Sequence, residues 1–294
     1  MRPGCKDDLS GLLDLWRADV RAGKRDCVPG DAFLHRAMNS FDWESSSRVT
    51  EGSAGRLDGV VLVSSRATPL GTIAAVDASA VRPGLLNDLT RWGLGLSQAA
   101  GAVAAQVWRG RGHTRGLRAL GLEPVRPWWR MDRALSAEPS LPCAVTGYEL
   151  SDASAVPGSK WADAHNISFA DHWRFSPRTE EELMAGRPSG LSLMAIAPGG
   201  SPAALTLCQI EEYGLDSRSQ PVGVISSVGT LPDHRRRGLA TWLVAEALVR
   251  LHRAGARHAS LYVDGENPTR AFDAYKKLGF ELAFETEVWE ATFR

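Results

Sequence analysis

The pattern of apolar and polar positions predicts the same order of helices and strands twice along this chain. In the first half, helical spacing covers residues 9–20, and alternating or apolar runs separated by Gly and Asp predict an antiparallel meander over residues 47–77. A helix at about 85–99, a strand at 102–108 and a final strand near 125–135 follow. In the second half the order restarts, with the following predicted elements: a helix at 159–173, a polar helix at 178–184, a hairpin around 198–202, a strand at 222–230 and a helix after Gly238.

The two halves share residues as well as element order, which predicts a tandem duplication. Residues 71–76 align with 223–228, and Ala-Gly-Ala precedes a strand in both halves, at 100–102 and at 254–256. Between the halves, SAEPSLPCAV has the proline-rich, polar composition of a linker. We therefore predict an α/β (α+β) protein with domains at 1–138 and 139–294, each a mixed, mostly antiparallel sheet flanked by helices.

Composition excludes several function classes. The chain has 294 residues, of which 44% are hydrophobic, and its 34 basic and 34 acidic side chains give no net charge. Such balance provides no general field for nucleic acid or a membrane surface, so neither is an expected partner. The four cysteines are isolated and lack metal-ligand spacing, and the N-terminus has no apolar signal segment. We expect a cytoplasmic protein without a metal.

The strongest local signal is VISSVGTLPDHRRRGLAT at residues 224–241. A β-branched strand leads through Pro232 and Asp233 into a helix that opens near Gly238. Amide N–H groups at a helix N-terminus lack intrahelical partners and carry the positive end of the helix dipole, so they favour a phosphate. The segment therefore predicts an anion-binding loop.

Two linked motifs resemble those of the GNAT superfamily of acyl-CoA N-acyltransferases. Arg235, Gly238 and Ala240 match its Q/R-x-x-G-x-G/A element, which grips the coenzyme A pyrophosphate. Downstream, the form N-x-x-x-A-x-x-x-Y-x-x-x-G-F is filled without a gap by the following residues: Asn267, Ala271, Tyr275, Gly279 and Phe280. The tandem layout resembles that of the mycothiol synthase-like acetyltransferases.

The resemblance implies an N-acetyltransferase that uses acetyl-CoA as co-substrate and a small-molecule primary amine as acceptor, by direct attack. The amine would belong to an amino sugar, an amino acid or an antibiotic-like metabolite, and the protein would be a monomer or homodimer. Tyr275 would return a proton to the leaving thiolate. The implied acetyl-CoA contacts are Val228, Gly229, Thr230, Arg235, Arg236, Arg237, Gly238, Leu239, Ala240, Thr241 and Asn267.

The first copy lacks these motifs. It has no phosphate element after its strand, and Leu117 aligns with Tyr275. Leucine cannot donate a proton, so residues 1–138 are interpreted as a degenerate GNAT-like domain without coenzyme function. The alternative for the whole chain is a non-catalytic acyl-CoA-binding or dimerisation protein.

The general base is open at this point. GNAT enzymes often carry a glutamate on the strand before the phosphate loop, whereas this strand offers Ser226 and Ser227. Candidates elsewhere in the second half are Glu211, Glu212, Asp216, His165, Asp171 and His172.

Overall fold

The fold was analysed in a computed structural model that describes residues 1–28, 38–184, 187–188, 190–211, 221–266 and 270–293. Its strands and helices follow in chain order: α1 (Leu9–Arg21), α2 (Trp43–Ser46), β1 (Ser47–Glu51), β2 (Leu57–Thr68), β3 (Gly71–Ala80), α3 (Pro83–Ala99), β4 (Ala104–Gly110), β5 (Glu123–Ala134), β6 (Glu149–Asp152), α4 (Gly158–Phe169), α5 (Glu180–Met184), β7 (Leu193–Ile196), β8 (Pro202–Glu211), β9 (Val222–Thr230), α6 (Leu239–Arg253), β10 (His258–Asp264), α7 (Ala271–Lys277) and β11 (Glu281–Thr292).

Contacts divide the chain into two compact units. The first includes residues 1–128 and 284–293, and the second includes 129–211 and 221–283. This division falls inside β5 and β11, whereas the sequence predicts a seam between 138 and 139. Strand pairing explains the difference. A strand contacts the neighbours to which its backbone is hydrogen-bonded, so pairing sets the boundary between the units, and the position of the proline-rich segment does not. That only the second domain has coenzyme function stays a prediction.

In the first unit the strand order is β1-β2-β3-β4-β11. The β1–β2, β2–β3 and β4–β11 pairs are antiparallel, and β3–β4 is parallel. Side chains of β2 alternate between two faces, as strand geometry requires. Val60 and Leu62 pack in the cluster that contains α1, while Val61 and Val63 pack in the cluster that contains α3. Helices therefore cover both faces of this sheet.

The second unit repeats this plan with the strand order β5-β10-β9-β8-β7-β6. The β6–β7, β7–β8 and β8–β9 pairs are antiparallel, and β9–β10 is parallel. Leu205 and Leu207 of β8 pack in the cluster with α4, while Ala204 and Cys208 pack in the cluster with α6. The predicted mixed, mostly antiparallel sheets flanked by helices are confirmed.

Across the described ranges, the structure contains no helix whose length and apolarity would let it cross a bilayer.

Two glycines of α3 provide a matched test of the packing in the first unit. A methyl group on buried Gly93 would lie 2.5 Å from Cγ1 of Val76, whereas one on exposed Gly95 would meet nothing within 4 Å. We expect Gly93→Ala to lower the free energy of unfolding by about 1–3 kcal/mol, because a β-branched neighbour cannot move aside without repacking.

Gly95→Ala should raise the same free energy by roughly 0.5–1 kcal/mol, since alanine is the better helix former. Urea unfolding of both variants measures the two effects. A loss of stability in Gly95→Ala equal to that in Gly93→Ala would contradict the packing of α3 on β3.

Candidate functional site

The parallel pairing of β9 with β10 stops before either strand ends. The last paired residues are Ile225 and Leu261, yet β9 continues to Thr230 and β10 to Asp264. Beyond that point β9 stays paired with β8, up to the Ala204–Thr230 pair. Among the described residues, 226–230 therefore form an edge of β9 whose backbone N–H and C=O groups on the β10 side can pair with an extended ligand.

A β-bulge lies at the same place. Leu207 of β8 faces Ser227 and Cys208 faces Ile225, so Ser226 is the extra residue in β9. A bulge bends its strand and redirects the side chains that follow it. The bulge and the end of the parallel ladder together open a fork between β9 and β10.

The two faces of β9 beyond the bulge look onto different helices. On one face, a methyl group on Gly229 would lie 2.8 Å from Cβ of Ser168 in α4, and Oγ of Ser227 is 3.5 Å from Nε2 of His165. On the other face, Val228 packs against the cluster that contains α6 and Tyr275. A ligand in the fork would thus have α4 on one side and Tyr275 on the other.

The loop after β9 leads into a helix whose first backbone N–H groups have no acceptor within that helix. Arg236 and Gly238 have φ of 61° and 82°, which places both in the left-handed region. The first backbone hydrogen bond of α6 runs from the Trp242 N–H to the Gly238 carbonyl at 2.9 Å. The N–H groups of Leu239, Ala240 and Thr241 therefore have no acceptor within the helix. Left-handed residues next to a helix start make an anion-binding concavity.

Open space lies above Gly238. An added Cβ there would meet no atom within 4 Å, and the residue is exposed. Glycine tolerates the positive φ, and its missing side chain leaves the helix N-terminus accessible to a phosphate.

The arginines differ in their surroundings. Arg235 donates from Nη1 to Oδ2 of Asp171 at 2.8 Å, from Nη2 to the Ser168 carbonyl at 3.1 Å and from Nε to the Thr230 carbonyl at 3.2 Å. Its guanidinium therefore ties the loop to the C-terminal end of α4, and it holds the pKa of the Asp171 carboxyl below its usual range. The role of the Arg235 side chain as a pyrophosphate contact stays a prediction.

Arg237 belongs to a second network. Its Nη1 donates to Oη of Tyr148 at 3.1 Å, and that hydroxyl lies 3.0 Å from Nδ1 of His234. Arg236 is exposed. Sequence reasoning missed Tyr148, because the residue precedes β6 in a segment without any motif.

Tyr275 is only 8% exposed and belongs to the core cluster of α6 and β10, with its ring edge-to-face with Phe280 at 6.2 Å. Burial raises the pKa of its phenol, because an apolar environment disfavours the phenolate. At neutral pH the hydroxyl is therefore protonated, as a proton donor must be. Its role as general acid stays a prediction.

The remaining candidates are distributed as follows. Asn267, Glu212 and Asp216 lie outside the described residues. Glu211 ends β8 and is paired with Val222, at the end of the β8–β9 ladder away from the fork. Among the suggested bases, His165 contacts the fork, because its Nε2 lies 3.5 Å from Oγ of Ser227.

In the first unit the corresponding fork is occupied by the protein itself. Pairing of β3 with β4 ends at Ala75 and Gln106, although both strands continue. Beyond that point buried Arg109 donates from Nη2 to the Ala78 carbonyl at 2.8 Å, and the Gly110 N–H donates to the Lys24 carbonyl at 2.9 Å. A guanidinium thus bridges the strands where the second unit offers an open edge.

Comparison of the sequence with known proteins finds a matching family and a relative. The family described as FR47-like protein matches residues 217–289. A relative named mycothiol acetyltransferase from Catenulispora acidiphila is 30% identical over 196 residues, which cover 64% of this chain and 57% of the relative. The chain thus spans somewhat more than half the length of that relative.

Solved structures show the same fold over the whole chain. A GCN5-related N-acetyltransferase from Sphaerobacter thermophilus superposes with a TM-score of 0.81 at 23% identity, covering 100% of this chain and 95% of that one. A tandem GNAT protein from the clavulanic acid biosynthesis pathway gives 0.69 at 15% identity, covering 99% and 97%. These matches confirm the tandem GNAT fold and the resemblance that the motifs indicate.

Gly238 allows a test of the anion-binding loop with two side chains of equal size. Asn and Asp both tolerate a left-handed backbone, but only Asp places a negative charge where the phosphates would lie. We expect calorimetry to find one acetyl-CoA per chain in the unmodified protein, and affinity to fall at least tenfold further in Gly238→Asp than in Gly238→Asn. Equal affinities, or two sites per chain, would contradict this assignment.

Proposed function

We propose that this protein is an acetyl-CoA-dependent N-acetyltransferase whose second unit transfers the acetyl group to the primary amine of a small molecule. The observation that supports this most is the fork between β9 and β10, which opens beside the free N–H groups at the start of α6. An extended pantetheine arm would pair with the edge at 228–230, and its pyrophosphate would accept from the N–H groups of residues 236–241.

The transfer follows from this placement. A backbone N–H of the β9 edge would donate to the thioester oxygen, stabilising the negative charge that develops there as the amine nitrogen attacks the carbonyl carbon. As the C–N bond forms, the C–S bond breaks and the coenzyme leaves as a thiolate. Tyr275 would give that sulfur a proton from the face opposite α4, while the acylated nitrogen would release its extra proton to solvent, from which the phenolate would be reprotonated.

The first unit has no corresponding role in this proposal. Its fork is bridged by Arg109, and the N-cap of α3 is Arg82, whereas the N-cap of α6 is Gly238. Pro83 also removes one of the N–H groups that a phosphate would use. Binding of acetyl-CoA to the second unit alone follows.

The acceptor class follows from the serines on β9. A lysine-like amine of pKa ~10.4 costs roughly 4.6 kcal/mol to hold neutral at pH 7, whereas an α-amino group of pKa ~7.7–8.0 costs about 1 kcal/mol. Because Ser226 and Ser227 stand where a glutamate base is common in this superfamily, a weakly basic amine suits the site better. Amino sugars and α-amines are such acceptors.

An amine series tests both activity and acceptor class. Thiol release from acetyl-CoA would be measured with glucosamine, the dipeptide Gly-Ala and Nα-acetyl-lysine between pH 6 and 10. We expect kcat/KM at pH 7 to be highest for the first two and to rise for the lysine amine as its pKa is approached. Tight acetyl-CoA binding without transfer to any amine would instead support a non-catalytic acyl-CoA-binding protein.

Tyr275→Phe tests the proton donor. The variant keeps the ring that packs on Phe280 and removes only the hydroxyl, so we expect kcat to fall by about 10²- to 10⁴-fold, as is usual for loss of a general acid, with little change in acetyl-CoA affinity. Phe272→Leu, which alters a neighbouring aromatic without a hydroxyl, is the control. Full turnover by Tyr275→Phe would assign Tyr275 to the core alone.

A further inference from the structure

The face of β9 toward α4 carries a histidine and a serine that the transfer described above does not use. His165 is 7% exposed and lies one helical turn after Trp161, which is fully buried. Its ring stacks on Phe169 with centroids 4.6 Å apart and planes 25° apart. The imidazole is thus fixed against the sheet, with Nε2 3.5 Å from Oγ of Ser227, at the outer limit of a hydrogen bond.

Ser227 stands at the junction of this face and the fork. It is partly exposed, and it lies two residues beyond the last β9–β10 pair, at Ile225. It comes directly before residues 228–230, the part of the edge that would hold the thioester arm. A nucleophile entering from the α4 side would therefore meet the Ser227 hydroxyl before it reached the thioester carbonyl.

The side chain of Asn166 selects the useful tautomer of His165. Its amide is oriented by the Arg178 backbone, because Oδ1 accepts from the Arg178 N–H at 2.9 Å and Nδ2 donates to the Arg178 carbonyl at 3.0 Å. The same Oδ1 is 3.5 Å from Nδ1 of His165. An acceptor at that nitrogen favours the Nδ1–H tautomer, which leaves the Nε2 lone pair directed to Ser227.

Burial favours the neutral ring of His165. It is the main reason that the pKa of His165 lies below the usual value for histidine; the hydrogen bond with Asn166 opposes this shift, and electrostatic interactions with Arg178, His172 and Arg187 act in the same direction as burial. The carboxylates of adjacent segments have other partners: Asp171 pairs with Arg235, and Glu182 accepts from the Thr179 N–H. A neutral imidazole at pH 7 is the form that can accept a proton.

A second polar group points to a ligand on this face. Oγ of Ser168 is buried and has no hydrogen-bond partner among the described residues, and Ser168 lies against Gly229, opposite the edge. Buried hydroxyl groups normally have a hydrogen-bond partner. The unpartnered hydroxyl of Ser168 beside the fork therefore indicates a group that the amine acceptor could contact after a small movement of the serine side chain.

From this arrangement we infer that Ser227 and His165 form a proton relay that deprotonates the amine acceptor on the α4 side of the fork. The ammonium group gives a proton to Oγ of Ser227 while the Ser227 hydroxyl proton passes to Nε2 of His165. The products are a neutral amine, ready to attack the thioester, and an imidazolium that later returns its proton to water. The relay rests on the proposed transfer, and it places proton removal and thiolate protonation on opposite faces of β9.

The test uses the full chain and the best acceptor of the amine series. We expect His165→Gln to lower kcat/KM at pH 7 by about 10²-fold or more, the usual effect of losing a general base, with acetyl-CoA affinity unchanged. Ser227→Ala should lower kcat/KM about tenfold or more through the same step. His252→Gln in α6, the same substitution at another histidine of this unit, should have no effect, and circular dichroism with thermal melting monitors folding of all three.

The pH profile separates a relay from a structural role. In the unmodified protein an acidic limb should lie below the usual histidine pKa of ~6.5, because the base is active only when neutral. This limb should be absent from His165→Gln, and the defect should shrink as the pH approaches the pKa of the amine. Free imidazole should restore part of the rate.

Each outcome decides a different question. A loss in His165→Gln that is constant with pH and unaffected by imidazole would overturn the relay while leaving the transferase proposal intact, as would full activity in a folded variant. If the unmodified protein binds acetyl-CoA but transfers to no amine, the proposed function fails and the relay with it. Should His165→Gln not fold, retention of full activity in Ser227→Ala would itself overturn the relay.

Discussion

The site depends on a backbone constraint, namely that β9 and β10 cannot stay paired beyond Ile225 and Leu261. The extra residue at Ser226 bends β9 at the point where pairing ends, while β8 continues to hold the strand up to Thr230. A strand held on one side and open on the other has hydrogen-bonding groups without strand partners, and such groups favour a ligand of extended shape. The candidate site is thus created by an interruption of the sheet, and the side chains proposed to act in it are arranged around that interruption.

Arg235 links this interruption to the helix on the acceptor side. Its guanidinium contacts the end of β9, the Ser168 carbonyl and Asp171. As an isolated pair, a partly buried arginine and a mostly exposed aspartate contribute little to stability, about 0–1 kcal/mol. The contact matters more for geometry, because it fixes the phosphate loop and the C-terminal end of α4 in one arrangement. In the proposed reaction, movement of either segment would change the position of both substrates.

Much of the fold and part of the candidate site could be predicted from the sequence, for physical reasons. The glycine at a helix start and the β-branched strand before it are local patterns, so the sequence predicts the loop at 235–241 directly, and repetition of residues between the halves predicts the tandem plan. The bulge at Ser226 could not be found, because it depends on pairing with β8. His165 was one of six candidate bases, and only folding brings it to Ser227. The boundary of the units differed for a similar reason, since β5 and β11 are assigned by pairing and not by composition.

Because the fork of the first unit is filled by Arg109, the stability of that unit should not depend on the concentration of a ligand. Arg109 satisfies that fork from within the chain, so the native state there is complete at any concentration of small molecules. In the proposed function, the second unit gains stability when acetyl-CoA occupies its edge, by about 2.7 kcal/mol when the ligand is present at 100 times its dissociation constant. Loss of acetyl-CoA would then loosen the second unit and leave the first unaffected. The concentration of acetyl-CoA would thus set how readily a protease attacks the second unit, independently of any catalytic turnover.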